Sequence, residues 1–174
     1  DERRSNSARV LMYLRRAASL DSLMGDAYYL LGVEYGARFL GAMQDGDLEG
    51  MLSALRRAQR EGGFPAWLIE YNRNMLESCA PGAILLTSGD ALAGSAWYRQ
   101  YIEHVRRDVT VVPLGLLGRP WYLQTVREKS ERVPSPLPIG WTRQQVLSAG
   151  PYKWKTNVVS LPPPDDVRRT YGIE

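Results

Sequence analysis

Cysteine and histidine are almost missing from this chain: Cys79 and His104 stand alone among 174 residues. A single cysteine closes no internal disulfide and builds no cysteine-rich zinc site. One histidine beside it leaves little material for a transition-metal centre. Long apolar runs are missing as well. The nearest, Tyr28 to Met43, is interrupted by Glu34 and Arg38 and falls short of the roughly 18 residues that a membrane span needs. Charge of one sign is also scarce: 22 basic and 19 acidic residues leave a net charge of +3, far from the dense basic stripe of a nucleic-acid binder. The expectation is therefore a chain with no metal, no cofactor, no nucleic-acid partner and no transmembrane segment.

What is present suits one compact domain, or one domain with a small helical extension, large enough to bury a core without a disulfide or metal. The chain opens on Asp1 rather than methionine. That fits a removed signal peptide and a place outside the cytoplasm, and fits equally a boundary without such meaning. After a polar stretch to Ser7 the apolar spacing predicts four helices. Leu11, Leu14, Ala17 and Ala18, with Val10, make the apolar face of the first. Ala27, Leu31, Tyr35 and Phe39, preceded by Leu23, recur at helical spacing in the second, from Ser22 to Met43. Gly25, Gly32, Gly36 and Gly41 would weaken that helix in isolation, so they are read as places of close helix packing. Gln44 to Asp47 is a turn. Leu48, Met51, Leu52, Leu55 and Ala58 mark the third helix, which Gly62-Gly63 stops. Pro65 opens the fourth, with Trp67, Leu68, Tyr71 and Met75 as its buried stripe.

At Pro81 the period changes. Ala83 to Thr87 is a short apolar run and reads as a buried strand. Asp90 to Arg107 reads as a helix with Trp97, Tyr101, Ile102 and Val105 inward, and Val109 to Val112 as a second strand. Strand, helix and strand within about thirty residues predict a βαβ unit with parallel strands. Pro120 opens a further helix to about Lys129, and Thr142 with Gln145 makes a capping box for another. Lys155 to Leu161 reads as a third strand and Pro162 to Pro164 as extended chain, with Asp165 capping a last turn.

Tyr28-x-x-Leu31-Gly32-x-x-Tyr35, followed by Gly46-Asp47-Leu48 and Ala54, Leu55 and Ala58, resembles a tetratricopeptide repeat with an extended first helix. A single repeat forms no concave peptide groove. The second half carries a longer resemblance. Tyr71-Asn72-Arg73-Asn74-Met75-Leu76-Glu77-Ser78-Cys79-Ala80-Pro81 leads into Ala83 to Asp90. Trp97-Tyr98, Gln100, Arg106-Arg107-Asp108-Val109, Leu116-Leu117 and Trp121-Tyr122 then follow in order. Over roughly residues 71–145 this resembles the soluble C-terminal region of a family of bacterial multispanning membrane proteins of unknown function. That family is similar to protein O-mannosyltransferases. The resemblance implies a domain on the extracytoplasmic (periplasmic) face and core roles for Trp97 and Trp121. It imports no catalysis, because the lipid-linked sugar chemistry of such proteins belongs to a membrane part that these residues lack. Two departures stand out. The family's Gly-Asp-Asn-Asp-Thr is Gly89-Asp90-Ala91-Leu92-Ala93 here, and its Asn-Leu-Ser is Pro113-Leu114-Gly115.

The expected fold is thus α/β: a tetratricopeptide-like helical layer over residues 1–80, packed on a small parallel-sheet, Rossmann-like domain over 81–174 with a Pro-rich, aromatic tail. Ser88, Gly89 and Asp90 are the candidate ligand loop, at the strand-to-helix tip where α/β folds hold ligands. The lost acid at Leu92 favours a capping role for Asp90. The loop lacks the spacing and the Lys-Ser/Thr of a phosphate loop. His104 is too far along the helix to activate Ser88 or Ser95. Glu70, Glu77, Asp90 and Glu103 read as a solvated face, and Cys79 as a small apolar residue. No catalytic residue is assigned. Trp141, Tyr152, Lys153, Trp154 and Lys155 form an aromatic, cationic tail suited to docking on a partner or at a membrane interface.

The function these residues imply is structural: a non-catalytic, membrane-extrinsic subunit that stabilises a larger membrane complex, for instance an energy-transducing or light-harvesting one. The alternative is a glycan- or sugar-phosphate-binding module beside a membrane glycosyltransferase, using Asp90 and a stacking platform of Trp97 or Trp121.

Overall fold

The computed structural model describes residues 2–133, 135–148 and 169. Four helices lead: α1 (Glu2–Leu20), α2 (Gly25–Asp45), α3 (Leu48–Arg60) and α4 (Ala66–Glu77). Then come β1 (Ile84–Thr87), α5 (Asp90–Tyr101) and β2 (Thr110–Pro113), a 3₁₀ turn at Leu114–Leu116, α6 (Pro120–Val126) and α7 (Arg143–Ser148). The described chain is therefore mostly helical with one small sheet. β1 and β2 pair in parallel, Ile84 opposite Thr110 and Thr87 opposite Pro113, with α5 as the crossover. The expected βαβ unit is present. The expected third strand, the Pro162–Pro164 stretch and the Asp165 cap lie outside the described residues.

The helical hairpin of α2 and α3 turns as its sequence predicts. Gly46 ends α2 in the left-handed region at φ 77°, and its N–H reaches the carbonyls of Ala42 and Met43. Asp47 then caps α3, accepting from the Gly50 N–H at 2.8 Å. Of the four glycines in α2, only Gly32 is a close approach. A Cβ built there would lie 2.5 Å from the Gly63 carbonyl oxygen, whereas Gly25, Gly36 and Gly41 have nothing within 4 Å. The expectation of close packing at all four is corrected to one, where the chain after α3 folds back across α2.

One core runs through the helices and the sheet. Phe39, fully buried on α2, stacks on Trp97 of α5 with ring centroids 4.8 Å apart and meets Tyr101 edge-on at 5.6 Å. The Tyr101 hydroxyl donates to the Arg132 carbonyl, and Arg132 Nη1 donates to the Met43 carbonyl at 2.8 Å. The segment after α6 is thereby tied to the end of α2.

Three expectations are corrected. The polar opening is already helical, since α1 begins at Glu2. α5 ends at Tyr101 rather than Arg107, and His104 and Arg106 then take positive φ values of 59° and 44°. Gln100 explains the early stop: its side-chain amide donates to the carbonyls of Arg106 at 2.8 Å and Val109 at 2.7 Å, drawing the chain round into β2. Finally, β1 is covered on one face only. Thr87 is buried and Leu85 partly so, while Ile84 and Leu86 face outward, as the two-residue period of a strand requires.

Arg106 makes a further joint that the sequence does not advertise. Its guanidinium donates to the carbonyls of Leu76 and Cys79, both at 2.9 Å, and of Ala80 at 3.1 Å. Leu76 lies in the last turn of α4, where carbonyls run short of intrahelical donors, and its carbonyl also accepts from the Cys79 N–H at 3.2 Å. Asp108 holds the guanidinium from the other side at 2.8 and 2.9 Å and accepts from the Gly82 N–H at 3.0 Å. The Arg106 hydrogen bonds, then the Gly82 N–H, hold the Asp108 carboxyl well below the usual carboxylate range. A carboxylate with a depressed folded pKa adds stability above its unfolded value of about 4, and that contribution is lost as pH falls through the folded value. The expected result is that Asp108→Asn lowers the unfolding temperature at neutral pH and that the gap to the parent closes as the pH is taken below 4. Thermal melts across that range check it. A gap that persists unchanged in acid would contradict it.

Candidate functional site

The predicted ligand loop sits where expected, at the carboxyl end of β1. Ser88, Gly89 and Asp90 are all exposed. Gly89 has φ 94°, a conformation that a side chain would strain. Asp90 does not cap α5. The capping position is Gly89, with no side-chain cap bond, and Asp90 is the first helical residue, where its charge suits the helix dipole. The nearby Trp97 is no stacking platform: it is buried under Phe39. Trp121 is half-buried and packs edge-on against Tyr122.

The aromatic surface lies elsewhere. Trp67 and Tyr71 were expected inside α4, yet Trp67 is 70 % and Tyr71 53 % exposed. α4 instead buries Leu68, Ile69, Asn72 and Leu76, one step round the helix. Asn72 is fully buried, and its amide donates to Ser95 Oγ of α5 at 2.6 Å and to the Leu68 carbonyl at 3.1 Å. Its Nδ2 thus has two partners, as a buried amide needs, while its Oδ1 has none among the described residues; Trp67 and Tyr71, four residues apart, share the outer face of the helix.

With them, Ser22, Leu23 and Tyr29 from the start of the α2 hairpin, Tyr28 behind, and Ala91 and Leu92 from α5 enclose a groove of about 800 Å³. Gly62 and Gly63 form its floor. A Cβ at Gly62 would come within 2.8 Å of the Tyr28 ring, so glycine there is what lets the ring lie against the backbone. The polar side-chain groups in the lining are the hydroxyls of Ser22 and three tyrosines and the indole N–H of Trp67. The exposed loop at Asp90 thus adjoins the groove through Ala91.

A second, smaller groove of about 420 Å³ lies on the uncovered side of β1, between Ile84, Leu117, Leu123, Leu137, Ile139 and Trp141. Of the expected docking tail, Trp141 is half-exposed here, and Thr142 and Gln145 form the predicted capping box, 2.8 and 3.3 Å between their groups. Tyr152, Lys153, Trp154 and Lys155 lie outside the described residues. His104 is exposed, and Cys79 is partly buried, with its thiol on the Met75 carbonyl.

Among the described residues no three His, Cys, Asp or Glu side chains gather as a metal would require, and no helix is long and apolar enough to cross a membrane. The carboxylates considered for acid–base work are spread over the surface: Glu70 and Glu103 both pair with Arg99, and Glu77 with Arg73. No curated protein and no solved structure matches the chain. The family model described as TMEM260-associated domain 2 matches residues 69–159. That stretch contains most of α4, the βαβ unit with its Asp90 tip, α6 and α7, and it is just over half of the sequence. This chain therefore belongs to the TMEM260-associated domain 2 family.

Proposed function

We propose that this protein is a non-catalytic interaction module: a membrane-extrinsic subunit, on the periplasmic or another extracytoplasmic face, that stabilises a larger membrane complex. The observation that carries the reading is the exposed aromatic groove of Trp67, Tyr71 and Tyr29, whose lining is almost wholly apolar. Exposed apolar surface of that kind marks a place where another molecule sits. An energy-transducing or light-harvesting assembly is a suitable host. In this reading residues 1–80 form a tetratricopeptide-like layer, supported by the α2–α3 hairpin and the Gly32 approach, and residues 81–174 form a Rossmann-like unit, supported by the parallel βαβ crossover. The resemblance to the soluble region of O-mannosyltransferase-like proteins supports a place beside membrane glycosyltransferases. Purification of the untagged protein from native membranes is expected to recover it with membrane proteins in fixed ratio. Recovery as a free monomer would end the reading.

One observation favours a second reading, a glycan- or sugar-phosphate-binding module: the Asp90 loop and the aromatic surface are contiguous. Calorimetric binding of a mannose oligosaccharide that Asp90→Ala abolishes would establish it.

A further inference from the structure

The groove between the α1–α2 turn and the start of α4 has a rim of its own character. Seven charged residues lie within two positions of a lining residue in sequence. Glu61, Glu70 and Arg73 are engaged, with Arg15, Arg99 and Glu77 respectively. Asp21, Asp26 and Asp90 are exposed and form no ion pair among the described residues, and Arg60 is the remaining cation. On a chain of net charge +3, the free charge beside this groove is predominantly negative. The apolar surface extends past the groove: Leu20, Leu23 and Met24 of the turn are exposed, Leu23 by 91 %.

We propose that this groove receives an amphipathic protein segment whose aliphatic side chains are flanked by lysine or arginine. The proposal rests on the interaction reading above and names the chemistry of the partner. The aliphatic groups fill the space between Leu23, Tyr29 and Trp67, which offers few groups to hydrogen-bond a sugar. The cations lie over the open faces of Trp67 and Tyr71, where the ring quadrupole attracts them, and toward Asp21, Asp26 and Asp90. An acidic rim repels an anionic bilayer, so the same charges argue for a protein over a lipid surface.

The test uses the whole chain and three labelled helical peptides of about 14 residues, four turns, built from leucine with lysine, glutamine or glutamate. Fluorescence anisotropy is expected to show the leucine–lysine peptide binding about tenfold more tightly than the leucine–glutamate one, a preference that falls with added salt. Trp67→Ala and, independently, Tyr71→Ala are expected to weaken it about tenfold without moving the unfolding temperature. Asp26→Asn with Asp90→Asn should remove the charge preference and leave apolar binding in place. Equal binding of the glutamine and lysine peptides, still lost in Trp67→Ala, overturns the proposed partner while leaving an interaction surface. Absence of peptide binding overturns the proposal too. Vesicles of zwitterionic or anionic lipid that sediment the protein through Trp67 overturn it in favour of a membrane. A mannose oligosaccharide bound at Trp67 in place of every peptide would overturn the interaction reading as well.

Discussion

Replacing Gly32 with valine is expected to lower the unfolding free energy by about 3 kcal/mol, near the upper end for an overpacked core site. The new Cβ would stand 2.5 Å from the Gly63 carbonyl oxygen and 3.3 Å from its carbon. The neighbour is backbone and cannot swing aside as a side chain would. Gly63 is equally constrained from its own side, with Gly32 N 2.6 Å and Gly32 Cα 2.8 Å from a Cβ built there. The only relief is to move the segment after α3 away from α2, which strips cover from Leu31 and Ala58. In a chain of this size the unfolding temperature should fall by about 6–12 °C. Gly41→Ala is the contrasting measurement. Gly41 lies on an exposed turn of the same helix with nothing within 4 Å, so alanine there should stabilise by about 0.5–1 kcal/mol. Thermal and urea unfolding of both variants decide the matter. Equal, small effects would mean that α2 and the Gly62-Gly63 segment are loosely apposed.

Phe39→Ala is expected to cost about 4 kcal/mol. Phe39 is fully buried, and its ring faces Trp97 and Tyr101 across the boundary between α2 and the crossover helix. Truncation removes its transfer energy and leaves a cavity that two rigid aromatic rings, one with its hydroxyl anchored on the Arg132 carbonyl, cannot collapse to fill. Phe39→Leu keeps most of the volume and should cost less than half as much. Near-ultraviolet dichroism follows the change directly, since the Trp97 and Tyr101 signals arise from this packing. A loss under about 1 kcal/mol for the alanine variant would show that the helical layer and the βαβ unit gain little from their shared core.

Much of this architecture is written locally. The α2–α3 hairpin was legible because glycine at 46 and aspartate at 47 form a stop and a cap within two residues. The parallel βαβ order was legible because two β-branched or apolar runs flank a helical period, and the α7 capping box because Thr142 and Gln145 supply both of its bonds. The end of α5 was not. Its stop uses left-handed non-glycine residues and the Gln100 side chain, neither of which leaves a compositional mark. The site was least legible of all. The apolar residues of α4 encircle the helix, so Trp67-Tyr71-Met75 and Leu68-Asn72-Leu76 are rival faces, and a stripe argument naturally puts the tryptophan inside.

The sequence by itself determined that this chain is helix-rich with a parallel strand pair, that its turns fall at Gly46, Gly62-Gly63 and Gly89, and that it is poor in cysteine and histidine. These follow from period, capping and composition, which act over a few residues. Which face of α4 meets solvent, which side of β1 stays bare and where the aromatic groove opens were decided only by tertiary structure. There Leu68, Ile69 and Leu76 turn to the core together with Asn72, whose Nδ2 meets Ser95 Oγ across the α4–α5 contact, and Trp67 is left outside, because the elements packed against a helix, and not its own period, decide which of two apolar faces is covered.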